Sequence, residues 1–133
     1  MPIAEKTVAE VVQEASVKMS DPNYPQVMVG SLVQTHPDLA RYMSAHAKEL
    51  GGGTAVVNAV FHAALIAESF KRHTGRSLRK ITFADLDAAS DKPREEELKR
   101  RQPAIFDYVA ANVEQAAMKQ LLLLIAVGMD MIS

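Results

Sequence analysis

"THPDLARYMSAH", Thr35 to His46, and "RQPAIFDYVAAN", Arg101 to Asn112, lie 66 positions apart in a chain of 133 residues. Superimposing them pairs Pro37 with Pro103, Leu39 with Ile105, Tyr42 with Tyr108, Met43 with Val109 and Ala45 with Ala111, and the same register aligns Leu32 with Leu98. A proline in the first turn of a helix gives up an N–H that would have had no intrahelical partner. Each copy then presents an apolar residue, a tyrosine three positions on and another apolar residue one further, which places all three on one helical face. His46 and Asn112 follow the tyrosines by four positions and join that face.

Two readings of the pair follow. In one, the chain is a degenerate internal duplication whose two faces oppose across a bundle, with Tyr42, His46, Tyr108 and Asn112 lining a polar pocket. In the other, both are ordinary proline-started helices with a core face, and the tyrosine hydroxyls reach solvent. The second is simpler, because few identities are shared and the segments diverge afterwards: the first copy meets "GGG", whereas the second runs on into "EQAAMKQLLLLIAVGMDM".

The rest of the chain reads as helix in the same way. Ala4 to Met19 carries Val8, Val11, Val12 and Ala15 at three- and four-residue steps. "SDPNYP" stops it, and Pro25 opens a short helix, "PQVMVGSLVQ". The Pro37 helix is expected to continue to Leu50, where Gly51 to Gly53 end it and Thr54 caps the next. These glycines lack the GK[ST] ending and the preceding strand of a phosphate-binding loop. Ala55 to His73 forms an apolar helix closed by Gly75; Thr82 and Asp85 have capping-box spacing; "SDKPREEELKRR" is a charged helix opened by Ser90 or Asp91. Pro103 to about Met131 reads as one long helix. No segment alternates with period two, so the expected fold is all-α, a compact bundle of five to seven helices in one domain, 1–133.

Composition narrows function mainly by exclusion. Hydrophobic residues make up 48% and charged residues 23%, a globular balance. The chain has no Cys, which removes thiol nucleophiles, disulfides and cysteine metal sites. "MPIAEKTVAEVV" has no basic start followed by a long apolar run, and "LLLLIAV" is too short to span a bilayer, so a cytoplasmic location without membrane contact is expected.

Net charge is −1, but ten of the fifteen basic residues lie between positions 71 and 101. "KRHTGRSLRK", Lys71 to Lys80, makes Arg72, Arg76, Arg79 and Lys80 the anion-binding candidates. Absence of interleaved aromatics and of a helix-turn-helix pattern argues against nucleic acid.

"HAKE" sets His46 and Glu49 at the i, i+3 spacing of carboxylate-bridged metal bundles, but the second copy carries Asn112 and Gln115 there, so neither metal nor cofactor is expected. Thr54, Asn58, His62, Leu65 and Ser69 form one stripe on an otherwise apolar helix. Asn58 and His62 are therefore ligand-binding candidates. His62 lacks a neighbouring nucleophile in the sequence, and no catalytic residues are assigned.

The helix from Leu121 to Val127 is apolar all round and needs covering. A homodimer through Leu121, Leu122, Leu124, Ile125 and Met129 would supply that cover. The expected role is a non-enzymatic homodimeric helical protein acting in protein interaction or in binding a small molecule. The alternatives are a small helical enzyme built on His62 and a nucleic-acid-associated regulator using Lys71 to Lys80.

Overall fold

The computed structural model describes residues 2–133, and among them all regular structure is helical. The helices are α1 (Glu5–Lys18), α2 (Tyr24–Thr35), α3 (Pro37–Ser44), α4 (Ala47–Leu50), α5 (Gly53–Thr74), α6 (Phe83–Ser90), α7 (Arg94–Arg101), α8 (Pro103–Asn112) and α9 (Ala116–Ile132). The all-α expectation holds, but nine helices replace the expected five to seven.

Two interruptions account for the difference. The helix expected to reach Leu50 stops at Ser44 and restarts at Ala47. The long C-terminal helix breaks at Val113 to Gln115. At this second break Val113 adopts extended backbone with its side chain buried, and Gln115 Nε2 donates to Leu50 O at 2.6 Å. That remote acceptor compensates for helical continuity that the local sequence would otherwise favour.

Local grammar explains most of the remaining boundaries. Thr82 Oγ1 accepts from Asp85 N while the Asp85 carboxylate accepts from Thr82 N, completing the capping box of α6. Gly51 closes α4 in the left-handed region at φ 104°, a conformation that penalises any residue with a Cβ. Thr54 falls inside α5 instead of capping it, because Gly52 occupies the N-cap. Asp91 closes α6, and α7 starts after Pro93.

The two long apolar helices, α5 and α9, pack on each other at the centre, and the remaining helices surround them in a paired order. α1 packs on α5 and α8, while α6 packs on α9 and α3. α2 packs on α3 and α5, while α7 packs on α8 and α9. Core positions correspond across the two central helices: Ala59 and Ile125 are both fully buried, as are Ala63 and Met129. Half of the most apolar window of α5 lies inside the fold, as suits a central core helix, although its length and composition alone would also suit a membrane span.

The junctions α2–α3 and α7–α8 share one geometry. His36 (φ −130°, ψ 71°) ends α2 and begins α3, and Gln102 (φ −138°, ψ 68°) ends α7 and begins α8. Each is 3% exposed. Each accepts a main-chain N–H from a distant isoleucine: Ile81 N donates to His36 Nδ1 at 3.1 Å, and Ile3 N donates to Gln102 Oε1 at 2.8 Å. Ile3 precedes α1 and Ile81 precedes α6, so each junction secures the entry of a helix from the other half of the chain.

Candidate functional site

The four residues of the repeated segments divide into two separate pairs. Tyr42 lies against His46 with ring centroids 5.0 Å apart, and Tyr108 lies against His62 at 5.9 Å. His46 Nδ1 meets Tyr42 O at 2.8 Å, and Asn112 Nδ2 donates to Tyr108 O at 2.8 Å. The unequal residues His46 and Asn112 thus do the same thing, each folding back onto the carbonyl of its own tyrosine near a helix end. After Asn112 the chain leaves the helix, much as it does after the first copy.

Tyr108 differs from Tyr42 in its surroundings. It is buried, and its hydroxyl shares a 2.8 Å hydrogen bond with His62 Nδ1. Burial holds the Tyr108 phenol well above its ordinary pKa and the His62 imidazole below its own, so both groups stay neutral near pH 7. The cavity beside them, walled by Val11, Leu65, Ile66 and Ser69, has no room for a water. A neutral hydrogen bond in a mostly apolar, partly buried seam holds α5 to α8. The residue 66 positions after His62 is Gly128, so Tyr42 has no matching histidine.

Asn58 lies on the upper part of the His62 stripe and lines a different feature, an open cleft of about 680 Å³. Its walls include Met19, Pro25, Val57, Phe61 and Met118, with Thr54, Asn58 and Gln115 supplying the polar atoms. Val57 is 52% exposed and Met19 49%. Asn112 and Tyr108 instead border a shallower groove between α1 and α8, beside Glu5 and Asp107.

The basic stretch is mostly engaged within the chain. Arg72 Nη2 donates to Glu14 Oε1 at 3.1 Å and its Nε to Glu68 Oε2 at 2.9 Å, tying α5 to α1. Arg79 forks onto Asp85, both bonds at 2.8 Å. The Arg79 guanidinium holds the Asp85 carboxyl well below the usual carboxylate range. Arg76 contributes its carbonyl to Thr74 Oγ1 at 2.9 Å. Lys80 lies near enough to His36 to disfavour a positive charge on that ring.

All five residues expected at a dimer contact, Leu121, Leu122, Leu124, Ile125 and Met129, are buried inside the chain itself. The all-round apolarity of α9 is therefore satisfied by its central place between α5, α6, α7 and α8. Among the described residues, no three His, Cys, Asp or Glu side chains gather as metal ligands would.

Three buried polar residues, Asp130, His36 and Gln102, are not among the candidates drawn from the sequence. Asp130 is 9% exposed, accepts from Gln102 Nε2 at 2.8 Å, and is also bonded by Arg101 Nε. A lone acid in "LLLLIAVGMDMIS" signalled a buried partner. His36 and Gln102 were signalled by their shared position immediately before the two prolines.

Comparison with family models, with curated proteins and with solved structures gave no match to this chain.

Proposed function

We propose that this chain is a non-catalytic helical binding module that self-associates through the cleft between the start of α2, α5 and the start of α9. The observation that carries this reading is the exposure of Val57 and Met19 on the rim of an open, mostly apolar cleft. Most of α9 is covered within the chain, whereas on α5 Val57 stays exposed at this cleft. Met19 and Met118 are flexible enough to repack against a second copy, and Thr54, Asn58 and Gln115 would form the polar rim of such a contact.

We also infer that the chain is built from two copies of one helical unit offset by 66 residues. Support comes from the matched junctions at His36 and Gln102, the matched side chains of His46 and Asn112, and the paired order of packing. Self-association of such a chain would use a face to which both copies contribute, Val57 and Phe61 from the first and Gln115 and Met118 from the second.

Light scattering over a concentration series tests the self-association. A dimer in the wild type that becomes a monomer in Val57→Glu, with unchanged circular dichroism, is the expected result. A wild-type monomer at all concentrations up to about 100 µM would refute it, since stable interfaces of ordinary size dissociate well below that range.

A further inference from the structure

On the two-copy reading proposed above, the offset of 66 residues makes one cavity the counterpart of a polar cluster in the other half. In the second half, three residues form a polar cluster: exposed Arg101 and buried Gln102 donate to the carboxylate of Asp130. Their counterparts in the first half are Thr35, His36 and Ala64. The donors' frame is kept, with His36 in the same backbone conformation as Gln102 and accepting an isoleucine N–H as Gln102 does. The carboxylate is missing, because an alanine methyl stands where Asp130 has its side chain.

A cavity of about 160 Å³ lies there, bordered by Thr35, His36, Ala64, Lys71 and Ser77. The cavity is open to the surface, and its volume is comparable to the roughly 150 Å³ that holds a molecule the size of benzene. The chemistry of its wall is specific. His36 Nδ1 accepts the Ile81 N–H, so in the neutral ring the proton sits on Nε2, and no described residue accepts from it. Lys71 and Ser77, both exposed, border the same cavity and carry an ammonium group and a hydroxyl respectively. Glu68 also borders it, with Oε2 engaged by Arg72. Leu32, Leu78 and Ala67 make the rest of the wall apolar.

We propose that this cavity binds a small monocarboxylate with a short apolar tail, its carboxylate taking the place that the Asp130 carboxylate takes in the other half. His36 Nε2 plays the donor part of Gln102 Nε2, and Lys71 supplies the cation that Arg101 supplies to Asp130. The alkyl tail lies against Leu32 and Leu78. This site is on the α2–α5 face and does not depend on self-association at the Val57 cleft.

Sodium butyrate is the probe, with butyramide and sodium chloride as controls. In the wild type, butyrate is expected to move the His36 ring resonances and raise the melting temperature, while butyramide binds at least about tenfold more weakly because it cannot form the charge-assisted bonds. Lys71→Met is expected to weaken butyrate binding about tenfold with the fold unchanged. Ala64→Asp should fold and lose the butyrate response, carrying its own carboxylate to the donors, whereas Ala59→Asp, at a fully buried core position, should unfold. Wild-type His36 resonances that stay fixed through the butyrate titration, or that respond equally to butyramide, would overturn the proposal whatever the alanine variants do.

Discussion

His36 and Gln102 occupy equivalent helix junctions 66 residues apart, and each accepts the main-chain N–H of an isoleucine that leads into a helix of the opposite half. One acceptor titrates and the other does not, which gives the two junctions different responses to acid.

Burial, with help from Lys80, depresses the pKa of His36, and burial alone depresses that of His62. A histidine with a lowered folded pKa binds fewer protons folded than unfolded, so its stabilising effect is complete above the unfolded value of about 6.5 and is lost as pH falls through the folded pKa. Urea midpoints measured from pH 8 to pH 5 are expected to fall below pH 6.5. In His36→Gln the fold should persist, since glutamine already serves at position 102, and the acid slope should be shallower.

The same substitution at the two tyrosines should have unequal costs. Tyr108→Phe removes the partner of His62 Nδ1 in a buried seam and should cost about 1 kcal/mol. Tyr42→Phe, at a half-buried ring whose hydroxyl bonds no described residue, should change stability by less than about 0.5 kcal/mol. Chemical denaturation of the two variants checks the contrast.

Asp130 accepts from both Arg101 and Gln102, and Gln102 in turn holds Ile3. Asp130→Ala should therefore cost about 2–3 kcal/mol, the loss expected when a buried donor is left without its charged acceptor. Faster amide exchange at Ile3 would accompany it.

At Gly128 an added Cβ would meet Ala89 Cβ at 3.6 Å and Leu86 Cδ2 at 3.8 Å, both ordinary packing distances. Gly128→Ala should raise stability by about 0.5–1 kcal/mol through helix propensity. Gly128→Leu should lower it, because α6 already packs against that point; thermal melts would show opposite shifts.

Helix class and most boundaries were legible because they rest on local chemistry. Pro37 and Pro103 start helices, Gly51 and Gly75 end them, and Thr82 with Asp85 caps one. The break at Val113 was not legible, since it is compensated by a bond from Gln115 to Leu50, which the chain brings near only after folding. Likewise the apolarity of Leu121 to Val127 suggested a missing partner subunit, whereas the cover comes from helices before it in the chain. The repeat was visible as side chains, but its meaning lay in the backbone positions just before the prolines, where His36 and Gln102 share no side-chain chemistry beyond an acceptor.

The bonds from Ile3 to Gln102 and from Ile81 to His36 also impose an order on manufacture. As the chain emerges during synthesis, the hydrogen bond that secures the entry to α1 waits for an acceptor 99 residues downstream. Neither half is then expected to be an independent folding unit. Two separately produced halves should remain poorly structured alone and gain helicity on mixing, with a circular dichroism signal larger than the sum of the parts.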